Sequence, residues 1–451
     1  MTNGGIERRP SFIPPFFRRE RELPEWPIYD RTLKAYRAWN VKERGAVIDF
    51  DLTAGPDYHE EVARGFRQEV TLEDRLYMED VLMDLVERLG STQPSSRESK
   101  HILEFLKVRA EASVWFLRRL RGDVEGIPYI EKTNGLMPEE IDDSFLAPKR
   151  KTLLYLAKTL EIPIDSPQEY QSWRIAHQLS PEKTEERLSE AVQQSLRAIG
   201  KFIERPADLE YSVVPVRVRK YYYAWARTDW KTLKFVLELN FDQIWTPGKP
   251  EELGSHEGGE HLRRMNDWRN QIRRGKMPAV VGQTIVHGPE SVVEEGLALT
   301  ISHFVPDIYH GFSPEGKFQV DASILRHMVY GNVSLRLNSP HRPKIKDIID
   351  YVHTYIPWEP EREIRRQIRW RTQDPMLQAY LPSYAFGAKL FLDIIDILNT
   401  RGKKQLLKDL SEAPFTPVQL KRRVIELGRN KRNGNIDSSR QSPWDLAEAC
   451  S

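Results

Sequence analysis

The residues best suited to chemistry in this chain of 451 residues lie in Gly254-Ser255-His256-Glu257-Gly258-Gly259-Glu260-His261-Leu262, which contains the pattern H-E-x-x-x-H. Two imidazoles with a carboxylate beside the first suit a divalent cation and an activated water: neutral imidazole ligates zinc, and the glutamate can take the water's proton. In the usual peptidase helix the histidines sit four residues apart and share one face. Here they are five apart, and at roughly 100° per residue they diverge by about 140° on a regular helix, too far for one tetrahedral ion. A single π turn absorbs the extra residue and returns the second imidazole to the same face, and such turns cluster at functional sites. Gly258-Gly259 stands where that distortion is needed. Two adjacent glycines inside a helix each cost about 1 kcal/mol relative to alanine, so an ordinary helix gains nothing from them. They would also let a substrate backbone approach closely.

A catalytic zinc takes three protein ligands and leaves a fourth position for water. Val292-Val293-Glu294-Glu295-Gly296-Leu297-Ala298-Leu299-Thr300 is an apolar helical run with two carboxylates before a glycine, and a glutamate from a second helix is a standard third ligand. Glu295 is preferred to Glu294, with Gly296 expected to let this helix pack closely on the histidine helix and the other acid left to orient a histidine. With His256, His261 and Glu295 as metal ligands, Glu257 becomes the general base. An oxyanion in the transition state needs a donor besides the metal, and Tyr384 is the first choice, with His327 and Tyr380 behind it. Zinc is the expected cofactor, although manganese and cobalt accept similar ligands.

These residues need a framework, and the rest of the chain reads as mainly helical. Hydrophobic residues make up 39% and charged ones 30% of the sequence, enough for a large core. Residues 1–45 mix prolines, arginines and aromatics without a period, which predicts an extended arm. Thr71 and Asp74 form a capping pattern before an apolar periodicity that ends at Gly90, and helices are predicted over 100–121, 149–160 and 181–203. The period changes to two in Val214–Arg219 and Phe235–Asn240, predicting short strands of a small sheet. Helices return over 250–275, 289–304, 321–337, 345–354, 360–371, 382–400 and 416–428, and a polar tail follows. The organisation expected is an arm over 1–45, a helical region over 46–205, a catalytic region over 206–428 and a flexible tail over 429–451.

Lys plus Arg number 68 against 66 Asp plus Glu, a net charge of +2, which gives no general attraction to nucleic acid. The arginine-rich stretch 362–369 also carries glutamates and reads as an ion-paired surface helix. The one cysteine, Cys450, excludes an intramolecular disulfide and a thiolate cluster. No apolar run approaches the roughly 20 residues of a membrane span, so a soluble, cytoplasmic protein without membrane or nucleic-acid partners is expected.

The pair His256-Glu257-Gly258…His261-Leu262 and Glu295-Gly296-Leu297-Ala298-Leu299 resembles the His-Glu-Gly…His-His-Leu and Glu-Gly-Trp-Ala-Leu motifs of the domain-of-unknown-function 885 family of predicted zinc metallopeptidases. Tyr380-Leu381-Pro382-Ser383-Tyr384-Ala385-Phe386-Gly387 is similar to that family's Pro-Gly-Gln-Ala-x-Ala-Tyr-x-x-Gly stretch, with Tyr384 on its tyrosine. The likeness spans mostly Tyr211 to Gly428. That family's Pro-Gly before its paired histidines is missing, and Tyr330-Gly331-Asn332-Val333-Ser334 stands in place of its Asp-Thr-Gly-x-His. His256-Glu257-Gly258-Gly259-Glu260-His261 and Glu294-Glu295-Gly296-Leu297-Ala298 also resemble the His-Glu-Val-Gly-Thr-His and Glu-Glu-Gly-Leu-Ala motifs of the tubulin tyrosine carboxypeptidase family, which shares the longer ligand spacing. The resemblance implies a gluzincin-like helical metallopeptidase with a small β-sheet beside the active-site cleft, as in carboxypeptidase Taq and angiotensin-converting enzyme. In that fold an edge strand above the metal helix pairs with an extended peptide, and Phe235–Asn240 is placed in sequence to be it.

The activity these observations predict is zinc-dependent hydrolysis of short peptides or carboxyl-terminal residues, with Arg326, Arg263 and Arg264 as candidate cations for a terminal carboxylate. Two other readings fit the same residues: a noncatalytic scaffold with a vestigial cleft, and a metal-dependent amide hydrolase in a biosynthetic route.

Overall fold

A computed structural model describes residues 23–65, 69–205, 209–218, 222–229 and 234–432. Residues 1–22 of the expected arm, the tail from 433 onward and Cys450 lie outside the described residues. The architecture is mainly helical with two small sheets. Where the sequence has clear caps, the helices begin as expected. Thr71 Oγ1 accepts from the Asp74 N–H at 3.1 Å while Asp74 Oδ2 accepts from the Thr71 N–H at 3.1 Å, starting the helix Leu72–Ser91. Pro181–Ile203 begins at a Ser180 cap with proline in its first turn. The expected extended arm is corrected in its second half: Trp26–Lys42 is a helix that buries Ile28, Tyr29, Leu33, Tyr36 and Trp39. Those positions recur every three or four residues, a helical period that the surrounding prolines obscured. Helix Pro417–Arg432 likewise continues into the region expected to be a flexible tail.

Strands β1 (Ile48–Asp51) and β5 (Gln283–Ile285) pair antiparallel. Strands β2 (Tyr211–Val216), β3 (Ala224–Thr228) and β4 (Phe235–Asn240) form a sheet of order β2-β4-β3, with β2 parallel and β3 antiparallel to β4. The expected edge strand β4 is therefore the central one, with Phe235, Leu237 and Leu239 fully buried. The edge is β3, whose five residues are too short and irregular for a period-two signal.

Four helices position the candidate site. The histidine helix is a π segment over Gly254–Leu262 continued by the α-helix Arg263–Arg273. The supporting helix is Pro181–Ile203, the glutamate helix Glu290–Phe304 and the tyrosine helix Pro375–Ile397. Glycines decide how closely they approach. A Cβ on Gly258 would lie 2.6 Å from both Val192 methyls, and one on Gly254 2.5 Å from Ala191 Cβ, so this face of the π segment rests on the supporting helix. The glycines thus serve helix packing, which corrects the expectation that they admit a substrate backbone. Gly296 is likewise corrected. It meets the backbone of Gly387 on the tyrosine helix, not the histidine helix, and a Cβ at either glycine would overlap the other helix's main chain. Gly296→Ala is expected to destabilise the fold by about 3 kcal/mol, at the upper end for overpacking because main chain cannot give way like a side chain. Urea unfolding of the two proteins measures it.

Two apolar cores flank the site. One gathers Val292, Val293 and Leu297 of the glutamate helix with Ala385, Phe386 and Phe391 of the tyrosine helix. The other holds Leu262, Met265 and Trp268 of the histidine helix with the buried face of β4. Polar side chains from both meet at their junction.

Candidate metal centre

The π segment does what the five-residue spacing requires. His256 Nε2 and His261 Nε2 lie 3.2 Å apart, and Glu295 Oε2 stands 3.4 Å from the first and 3.6 Å from the second. Tetrahedral ligands on zinc bonds of about 2.0–2.1 Å are separated by roughly 3.3 Å, so this triangle has the dimensions of three ligands around one ion. Glu295 Oε2 is buried and accepts no hydrogen bond within the protein, an arrangement that is costly unless a cation satisfies it. Of the paired acids, Glu295 faces the imidazoles and Glu294 turns away. Among the described residues, this is the one His/Cys/Asp/Glu group with metal-ligand geometry. Burial works against its ionisation, yet the His261 charge and contacts from both imidazoles hold the Glu295 carboxyl well below the usual range. His261, opposed by burial, is raised to about 9, chiefly by the Glu295 charge.

Glu257 projects from the same π segment and is 7% exposed. Its Oε2 accepts the Ala226 N–H of β3 at 3.1 Å. Ala226 faces Leu237 across the β3–β4 pair, but its N–H points outward, so the edge of β3 away from β4 borders the base. Burial pushes the Glu257 carboxyl up, partly offset by His256 and His261, the direction that strengthens a base.

The tyrosine helix closes the other side. Tyr380 OH donates to Glu295 Oε1 at 2.7 Å and lies 3.1 Å from Tyr384 OH. The Tyr384 ring is nearly parallel to that of His256 (6.3 Å between centroids, 8° between planes) and stacks on His327 at 4.5 Å. All three sequence-nominated oxyanion donors thus gather at the cluster, but Tyr380 is committed to the Glu295 carboxylate, and burial with that charge raises its phenol well above the ordinary value. Burial, with Arg326 and Arg371 adding to it, holds His327 well below its usual range, so at neutral pH its imidazole is uncharged and can donate one proton.

Behind His261 lies a buried ion network. Arg264 donates to Glu294 at 2.6 Å and to Glu260 at 3.0 Å, and its guanidinium covers the Trp268 ring at 4.7 Å. Its Nη2 is 3.4 Å from His261 Nδ1. The expectation that Glu294 orients a histidine directly is modified: Arg264 stands between them. Burial raises the Glu294 carboxyl to about 7 against the pull of Arg264. Arg263 bridges Glu260, Asp267 and Ser411. Both arginines, 3% and 2% exposed, are buried and engaged by acids, which corrects the expectation that they offer a cation to a terminal carboxylate. Arg326 is engaged as well, with Glu359 at 2.7 Å.

Sequence reasoning missed two contributors. One is the Ala226 amide, invisible because backbone groups leave no residue signature. The other is Asp49 on β1, whose charge interacts with those of Glu295, His261, Glu257 and Arg264. Outside the cluster, His287 stacks on Phe116 at 4.0 Å and His303 lies 3.0 Å from Asp321. The arginine-rich helix Glu361–Gln373 pairs Arg365 with Glu361 and Arg366 with Glu363. No helix among the described residues is long and apolar enough to cross a membrane.

No family model and no curated protein matches the chain. Among solved structures, a protein described as a lipoprotein, from Colwellia psychrerythraea, superposes with a TM-score of 0.53 at 13% identity, covering 78% of this chain. The match spans 66% of that protein's length. An M32 carboxypeptidase from Deinococcus radiodurans R1 aligns at 12% identity over 94% of each chain with a TM-score of 0.37. A protein named BsuCP aligns at 12% identity over 92% of this chain and 99% of its own, with a TM-score of 0.40. The last two superpose loosely over most of their length, and the likeness in fold rests on the first. What the comparisons leave in common with this chain is a mainly helical fold.

Proposed function

We propose that this chain is a zinc-dependent hydrolase of short peptides. The observation that carries the reading is the triangle of His256 Nε2, His261 Nε2 and Glu295 Oε2, separated by 3.2–3.6 Å around an oxygen with no protein donor, with Glu257 on the same turn of helix. His256, His261 and Glu295 would hold the ion. Zinc, when bound, supplies Lewis acidity that lowers the pKa of a water toward about 7 and polarises a carbonyl.

The chain's residues supply the rest. Glu257 takes the water's proton as the carbonyl carbon is attacked, then delivers it to the departing amine, so the peptide C–N bond breaks and two neutral termini form before ionisation. The Ala226 N–H holds the Glu257 carboxylate in place. Tyr384 donates its phenol proton in a hydrogen bond to the developing oxyanion, and His327, stacked on it, fixes its ring. Tyr380 keeps Glu295 oriented. The outer edge of β3 offers main-chain groups to an extended peptide lying along the base. Anchoring of a terminal carboxylate has no support from Arg263, Arg264 or Arg326, whose guanidiniums are paired with acids, so the reading favours short peptides over a strict carboxypeptidase.

The test combines metal analysis with a peptide-library digest. About one zinc per chain together with peptide cleavage is expected. Tyr384→Phe is expected to keep the zinc and lose roughly a hundredfold to a thousandfold in kcat, the range for removing one oxyanion donor. Absence of zinc after incubation with the metal would sink the proposal.

A further inference from the structure

We infer that Asp49 is a substrate-specificity residue that recognises a cationic group, a primary ammonium or guanidinium, on the peptide beside the catalytic centre. This rests on the peptide-hydrolase reading above and extends it to the class of substrate.

The argument starts from the register of β1 on β5. Ile48 pairs with Ile285 and Phe50 with Thr284. Two steps along β1 therefore match one along β5, and Asp49 is the extra residue of a β-bulge. Bulges interrupt the alternation of a strand and re-aim a side chain, and they recur next to active sites. Here the bulge has a visible effect. Phe50 lies against Arg264, its ring 6.0 Å from the guanidinium carbon, while Asp49 is set among the charges of Glu295, His261, Glu257 and Arg264.

The Asp49 carboxylate differs from every other acid of the site. Glu257 accepts the Ala226 N–H, Glu295 accepts the Tyr380 hydroxyl, and Glu294 and Glu260 are bound by arginines. Asp49 is exposed, and no hydrogen bond or ion pair from a described residue engages it. Its neighbour Asp51, two residues on, shows how the same strand treats a structural acid: buried, and paired with Arg37 at 2.8 Å. An exposed carboxylate with no partner among the described residues, within electrostatic reach of the catalytic cluster, is available to a ligand. A charge-assisted hydrogen bond gives about tenfold to a hundredfold in affinity.

The experiment uses the zinc-loaded full chain and hexapeptides in which each position is in turn lysine, norleucine or glutamate, with the amino end free or acetylated. Two quantities are read: the ratio of kcat/KM for lysine over norleucine, and the corresponding ratio of dissociation constants by calorimetry in a Glu257→Gln background. At one position, or at the free amino end, the wild-type ratio is expected to reach about tenfold or more. Asp49→Asn should bring both ratios close to one, and Asp49→Lys should turn the preference toward glutamate. The acetylated series separates an amino-terminal ammonium from a lysine side chain. Cleavage with the same ratio in Asp49→Asn as in wild type overturns the inference and leaves the hydrolase reading intact. Asp49-dependent binding of cationic peptides without cleavage by any variant does the reverse. Neither cleavage nor binding removes both.

Discussion

Glu257→Gln is expected to retain about one metal ion per chain while its kcat falls by about 10²–10⁴, the range for losing a positioned general base. The separation of the two effects follows from geometry. Glutamine keeps the size of the side chain, and its amide oxygen can still accept the Ala226 N–H that Glu257 Oε2 accepts at 3.1 Å. What it cannot do is take a proton at neutral pH. The ligand triangle does not include Glu257, so metal content by mass spectrometry should match wild type. An unchanged kcat would show that the base is another group, and loss of the metal would place Glu257 among the ligands.

His256→Ala acts at a different level, and a larger effect is expected. Removing one of three protein ligands leaves His261 and Glu295 with two ligand atoms for the ion, and bound metal should fall to background with activity lost together with it. Stability provides an independent readout. In wild type, an ion at a hundredfold excess over its dissociation constant adds about 2.7 kcal/mol to the folded state. Part of that reflects satisfaction of Glu295 Oε2, which has no donor in the protein. Wild-type Tm should therefore rise on adding zinc and fall on chelation, and His256→Ala should show neither response. A zinc-induced rise in Tm that persists in His256→Ala would mean that the ion sits elsewhere.

The central feature was legible because it violates a rule. Histidines five residues apart cannot share a face of an α-helix, so spacing with two glycines called for a π turn, and the chain has one over Gly254–Leu262. Glu295 was favoured over Glu294 as the acid beside the glycine, and it faces the imidazoles, though Gly296 serves a different helix from the one expected. A glycine in sequence shows that something comes close but not what, because its partner, Gly387, is 91 residues away. The same non-locality hid the sheet order: β4 has the strongest strand signal because it is central and buried, and β3, the edge beside Glu257, is weakly patterned because it is not. Arg263 and Arg264 look like surface charges in sequence, since charge is written in the residue type and burial is not. Asp49 sits in Ile48-Asp49-Phe50-Asp51 with an acid two residues on, and only strand register distinguishes the exposed one from the buried one.

The contact of Gly296 with Gly387 also bears on how a peptide enters. Where two helices touch main chain to main chain, no side chain lies at the contact to repack, and sliding there is resisted. Glu295, Tyr380 and Tyr384 therefore travel as one piece. The histidine helix rests on its support through side chains, the Ala191 and Val192 methyls at Gly254 and Gly258. The paired glutamate and tyrosine helices thus act as an anvil for the bond-breaking groups. The groups proposed to grip the peptide, the Ala226 edge and Asp49, stand instead on strands, β3 and β1.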